Sequence, residues 1–109
     1  MLKLRGSLKI SGDKSISHRA LILSAMTVGK TKITNLLESD DVMRTLKILK
    51  KLGVDIKKNR NTWTVRGNGT NGFIEPNGPL NCGNSGTTAR LMIGAVSSNP
   101  INCTFFGDK

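Results

Sequence analysis

The sequence predicts an α/β fold built from repeated units of strand, glycine turn and helix. Three observations carry that prediction. Short β-branched or alternating apolar stretches are separated by longer stretches with helical apolar spacing. Glycine turns open two of the helical stretches, at Gly12-Asp13 and at Gly83 to Gly86. The tripeptide Gly-Asp-Lys follows a strand-like segment at residues 12–14 and returns after another at residues 107–109. That echo reads as an internal repeat. A chain stopping at a helix entrance leaves its last strand uncovered, so the sequence reads as a fragment of a larger protein.

The elements follow in order. Residues 2–10 alternate around Gly6 (Leu4, Leu8, Ile10), as one short strand or two fragments, and Gly12 ends them. The first helix runs from about Ser15 to Met26, with Val28-Gly29-Lys30 closing it, and Thr31 to Leu37 form a strand. Ser39 is an N-cap, followed by Asp40 and Asp41, whose charges suit the positive end of a helix dipole. Val42, Leu46, Leu49 and Leu52 make the apolar stripe of this second helix, Arg44, Lys47, Lys50 and Lys51 a solvated face, and Gly53 its stop. Val54 to Lys57 and Thr62 to Val65 pair as a hairpin across Lys58-Asn59-Arg60-Asn61, with Trp63 covering the sheet. Residues 67–78 are a glycine- and asparagine-rich loop. A third helix follows Asn81-Cys82-Gly83-Asn84-Ser85-Gly86-Thr87-Thr88-Ala89-Arg90, and Ile101 to Phe106 form the last strand.

Composition narrows the function. The 109 residues are 37% apolar, enough for one modest core, and 17 Lys and Arg against 7 Asp and Glu give a formal charge of +10. Such a balance attracts anions. Three Phe and one Trp, with no Tyr, make poor stacking platforms for single-stranded nucleic acid, and the basic residues form no arginine-rich arm. Cys82 and Cys103 form neither a CxxC pair nor a zinc spacing with the single His18, and read as reduced structural thiols. The N-terminus lacks the apolar core of a signal peptide and no run reaches membrane-spanning length, so a cytoplasmic protein is expected.

The chemistry gathers at two stretches. In Gly12-Asp13-Lys14-Ser15-Ile16-Ser17-His18-Arg19-Ala20, lysine, serines and arginine stand where a helix begins, and free amide N–H groups there suit phosphate or carboxylate. The Asn84 to Thr88 turn repeats this logic with two glycines, hydroxyls and an arginine. Together they read as one joint anion site. Gly29-Lys30-Thr31 is not a P-loop tail, since Ser24 stands where glycine is needed and a helix precedes it. His18 reads as a hydrogen-bonded structural histidine in preference to a general base. Asp40 and Asp41 suit either helix capping or paired-carboxylate chemistry, and spacing alone does not separate the two.

With both stretches in view, and Asn35-Leu36-Leu37-Glu38-Ser39-Asp40-Asp41-Val42 between them, the chain resembles the N-terminal part of the 5-enolpyruvylshikimate-3-phosphate synthase family. The resemblance implies a two-lobed enolpyruvyl transferase fold, an inside-out α/β barrel of repeated units with helices inside and sheets outside. It implies that residues 1–13 are an opening strand and hinge belonging with a distal lobe, and that residues 14–109 start the N-terminal lobe. It further implies transfer of the enolpyruvyl group of phosphoenolpyruvate to shikimate 3-phosphate, in the shikimate pathway to chorismate and the aromatic amino acids, by a monomer without metal or organic cofactor.

By matching position, Lys14 is expected to contact both substrates, and Ser15 and Arg19 to hold shikimate 3-phosphate. Gly86 is expected to place its backbone against phosphoenolpyruvate, with Asn84 beside it and Asp41 lining the cleft. None of these is expected to be the acid/base group, which the family carries in its distal half. The family also links alanine at the Gly86 position to tolerance of the inhibitor glyphosate. The UDP-N-acetylglucosamine enolpyruvyl transferases are the nearest rival, but Lys14 is followed by Ser15 where they carry asparagine. A basic nucleic-acid module and a noncatalytic anion-binding domain are the rivals of other classes.

Overall fold

The structure, a computed structural model, describes residues 6–9, 13–69, 72–97, 99 and 101–107. The elements are β1 (Gly6–Lys9), α1 (Lys14–Met26), β2 (Val28–Thr34), α2 (Asp40–Lys51), β3 (Asp55–Asn59), β4 (Thr62–Asn68), β5 (Leu80–Asn81), α3 (Gly86–Val96) and β6 (Phe105–Phe106). A four-stranded sheet has the order β1-β2-β4-β3, with β1 parallel to β2 and the other neighbours antiparallel. A second sheet pairs β5 with β6 in parallel.

Helix packing follows the sequence pattern closely. The α2 stripe of Val42, Leu46, Leu49 and Leu52 is buried and meets Leu21 and Ala25 of α1 in a core closed by Ile33, Ile56, Trp63 and Val65 of the sheet. In β4, Trp63, Val65 and Gly67 are buried, the period of two that places one strand face on a core. Trp63 Nε1 donates to Glu38 Oε2 at 3.2 Å, and Lys58 Nζ reaches the same oxygen at 2.7 Å, so the buried indole keeps a polar partner.

Four expectations need correction. Gly29 does not close α1: the helix ends in Thr27, already extended (φ −94°, ψ 160°), and Val28 starts the strand at once. Gly29 lies inside β2 at φ 125°, opposite Gly67 of β4. The same strand stops at Thr34, before Leu37, because Asn35 turns left-handed (φ 62°). The hairpin strands run longer than expected and leave a two-residue turn at Arg60 and Asn61, with Arg60 at φ 58°. Of the expected strand from Ile101 to Phe106, only Phe105 and Phe106 pair, and their partner β5 lies between the expected loop and the glycine turn that starts at Asn81. A strand two residues long carries no periodicity to read.

The opening strand is not left without sheet partners, since β1 pairs with β2 through Gly6↔Thr31 to Lys9↔Thr34. Leu2, Leu4, Ile10, the turn and hinge at Gly12, and the repeated Asp108-Lys109 lie outside the described residues.

Two glycines separate packing from propensity. A Cβ on Gly67 would lie 2.1 Å from the Thr27 carbonyl oxygen and 2.2 Å from that of Ser24, where the end of α1 rests on the sheet. A Cβ on Gly94, within α3, meets nothing within 4 Å among the described residues. Gly67→Ala is expected to lower stability by about 1–3 kcal/mol through overpacking, and Gly94→Ala to raise it by about 0.5–1 kcal/mol through helix propensity. Urea denaturation of the two variants checks both signs.

Candidate functional site

Each helix opens on a side-chain cap. Asp13 Oδ1 accepts from the Ile16 amide at 3.0 Å, Ser39 Oγ from Val42 at 3.4 Å and Ser85 Oγ from Thr88 at 3.0 Å. A capped helix start still has N–H groups without intrahelical partners, here those of Lys14, Ser15, Gly86 and Thr87 among others. The α3 start is shaped by a tight turn. Gly83 takes φ 57°, its amide donates to Asn81 Oδ1 at 2.8 Å, and the Ser85 amide donates to the Cys82 carbonyl at 3.0 Å.

The three starts lie together. Lys14 Nζ at the head of α1 forms an ion pair with Asp41 Oδ2 in the first turn of α2 at 2.6 Å. Thr88 Oγ1 in the first turn of α3 donates to the Asp41 carbonyl at 3.1 Å. The Lys14 hydrogen bond, helped by one from Ser85 and opposed by burial, holds the Asp41 carboxyl below its ordinary range. Asp41 is therefore ionised at neutral pH, and Lys14 carries a fixed partner instead of roaming.

Of the residues the sequence singles out, Lys14, Ser15, Asp41 and Gly86 stand at this junction, with Asn84 exposed just before the Ser85 cap. Arg19 is exposed further along α1 and forms no ion pair among the described residues. Gly86 is exposed, and among the described residues its missing Cβ would touch only Arg90 Nη1, at 3.4 Å. Asp40 and Asp41 do not act as a pair: Asp41 alone joins Lys14, and both sit in the first turn behind the Ser39 cap.

Sequence reasoning passed over the polar layer beneath. His18 Nδ1 lies 2.8 Å from Thr45 Oγ1, which lies 2.9 Å from Thr88 Oγ1, all three side chains fully buried. A signal existed, since Thr45 interrupts the apolar stripe of α2 one turn after Asp41, and His18 stands one turn after Lys14. Burial also pushes the Cys82 and Cys103 thiols up, which suits unreactive free cysteines. Among the described residues no group of three or more His, Cys, Asp or Glu could hold a metal, and no helix is long and apolar enough to cross a membrane.

The family model described as EPSP synthase (3-phosphoshikimate 1-carboxyvinyltransferase) matches residues 1–109. The 3-phosphoshikimate 1-carboxyvinyltransferase of Afipia carboxidovorans is 52% identical over 106 residues, covering 96% of this chain and 24% of the relative. That of Oceanobacillus iheyensis is 48% identical over 105 residues, with the same shares. The solved EPSP synthase from Acinetobacter baumannii superimposes with a TM-score of 0.84 at 34% identity, over 97% of this chain and 24% of that one. The chain thus spans about a quarter of the length of the curated relatives it matches.

Burial, ahead of the opposing influences of Asp41 and Lys14, lowers the His18 pKa below the ordinary 6.5. The unfolded chain then binds more protons than the folded one as pH drops through the region below 6.5, so stability rises with pH there. The depressed Asp41 carboxyl adds a second loss only once pH falls below the ordinary aspartate value of 3.8. Urea midpoints are expected to fall between about pH 7 and pH 5, and His18→Asn to flatten that limb while leaving the more acidic one.

Proposed function

The chain belongs to the EPSP synthase family, and from that premise we propose that the protein carrying it transfers the enolpyruvyl group of phosphoenolpyruvate to shikimate 3-phosphate and releases phosphate. The observation that supports this reading most is the meeting of three helix starts around the Lys14 and Asp41 pair at 2.6 Å, in a chain of charge +10. Both substrates are anions. Amide N–H groups and helix dipoles directed to one place receive such groups without reorganisation.

In this reading Lys14 contacts both substrates, Ser15 and Arg19 hold shikimate 3-phosphate, and Gly86 presents its backbone to phosphoenolpyruvate with Asn84 beside it. Asp41 lines the cleft and keeps Lys14 oriented. Protonation of the phosphoenolpyruvate methylene carbon and attack by a shikimate hydroxyl build a tetrahedral intermediate, whose negative charges must be held in fixed geometry. The groups that move those protons are assigned to residues outside these 109. No metal or organic cofactor enters the proposal.

The same proposal assigns residues 1–13 to a second lobe and residues 14–109 to the start of the first. Among the described residues β1 is an edge strand of the sheet. Monomeric action in the cytoplasm, without nucleic acid, also belongs to this reading.

Phosphate release from the two substrates by a full-length protein carrying these residues tests the reading, and no release would refute it. Lys14→Met is expected to lower kcat/KM by about 10- to 100-fold, the worth of a charge-assisted hydrogen bond. The isolated 109-residue chain is expected to give no turnover. Gly86→Ala should leave the urea midpoint unchanged or higher, since its methyl makes only an ordinary contact with Arg90. It should nevertheless raise the KM for phosphoenolpyruvate and weaken inhibition by glyphosate, both measured by the same assay.

A further inference from the structure

Beneath the helix starts, the buried contacts between His18, Thr45 and Thr88 have a direction that the geometry determines. A carbonyl oxygen only accepts, so Thr88 spends its single hydroxyl proton on the Asp41 carbonyl, 3.1 Å away. Thr45 must then donate to Thr88 across their 2.9 Å contact. With that proton spent, Thr45 can only accept from His18, 2.8 Å away, so the ring proton sits on Nδ1. A neutral imidazole has one N–H, which leaves Nε2 bare. Among the described residues, Nε2 is indeed the buried side-chain atom without a hydrogen-bond partner.

The ring is neutral because it is buried, and the two charged groups acting on it, Asp41 of α2 and Lys14 of α1, oppose each other. An unpaired buried acceptor carries a cost. The fold accepts that cost and keeps a donor at Nδ1.

The relay ends at two groups that define the site. The Asp41 carboxylate is the partner of Lys14, and the Thr88 amide, two residues after Gly86, is tied to the Ser85 cap immediately before it. We propose that this one-way relay sets the spacing between the starts of α2 and α3, making Thr45 and Thr88 positioning residues for anion binding and His18 the donor that orients them. The proposal rests on the reading of these helix starts as the substrate site. An error of about an ångström in such a spacing is costly, because several groups must meet one anion at once.

The test combines 15N NMR of the imidazole with steady-state kinetics in a full-length protein carrying these residues. The expected spectrum shows His18 protonated at Nδ1 and bare at Nε2. Thr45→Val, which keeps the shape and removes the hydroxyl, should raise the KM for both substrates about tenfold with kcat little changed, and Thr45→Ser should restore it. His18→Asn, whose amide reaches the place of Nδ1, should keep the low KM, and His18→Leu should lose it. A proton on Nε2, or equal behaviour of Thr45→Val and Thr45→Ser, overturns the proposal. Absence of turnover in the unsubstituted protein is a failure of the underlying reading instead, and the position of the His18 proton then decides the relay by itself.

Discussion

The hydroxyl proton that Thr88 gives to the Asp41 carbonyl is the contact on which the helix layer depends. It joins α3 to α2 at their first turns, and it dictates the direction of every polar contact below. Without it, Thr45 and Thr88 could exchange donor and acceptor roles, and His18 could carry its proton on either nitrogen. With it, one arrangement remains. A single hydrogen bond contributes only about 0.5–1.5 kcal/mol, so its importance lies in specifying a geometry more than in stabilising it. The apolar stripe of α2 and its partners in α1 and the sheet account for the burial. Such a stripe alone tolerates small sliding of one helix on another, which a directed polar row between them does not.

The charge pattern above this row is what a helix alone would not choose. Lys14 is the first residue of α1, at the positive end of the dipole, where a cation is disfavoured, and no acidic residue stands in that first turn. Asp13 caps the helix from outside it, and the compensating carboxylate comes from α2 as Asp41. An exposed lysine paired at a half-exposed aspartate contributes little stability by itself. The pair makes better sense as a means of holding a cation at a helix start where an anion is to arrive. Local rules are broken here and met elsewhere: α2 has both acids in its first turn and Lys50 and Lys51 in its last. A departure confined to one helix start marks a site more convincingly than basic charge spread over a surface.

How much of this could be read from the sequence depends on whether the signal was local. Ser39 and the stripe of Val42, Leu46, Leu49 and Leu52 mark the start of α2 and its apolar face, because capping and burial act within the helix itself. The end of α1 misled because a glycine after a helix usually terminates it, whereas Gly29 lies inside β2 at φ 125°, opposite Gly67 of β4. That pairing is with a residue nearly forty positions away, and the local sequence holds no trace of it. The residues of the junction were legible one stretch at a time: Lys14, Ser15, Gly86 and Asp41 each carry a helix-start signature. Their meeting was not, and the partners of His18, a histidine expected to be hydrogen-bonded and structural, emerge as a buried polar row only when three helices are packed.

The glycines sharpen the distinction between what the fold requires and what it leaves free. Gly83 sits at φ 57°, with the Arg44 guanidinium 3.1–3.3 Å from where a Cβ would stand, so the turn before α3 explains it. Gly67 is required by two carbonyl oxygens. Gly86 answers to neither constraint: its φ is ordinary and, among the described residues, a Cβ there would meet only Arg90, at contact distance. Gly86 opens α3, so the cost that a glycine carries in mid-helix does not by itself decide its presence. A bare backbone at a helix start, beside one arginine and close to a lysine held by aspartate, lets an anion approach the amides directly. The absence of a side chain is there a property of the surface and not of the core.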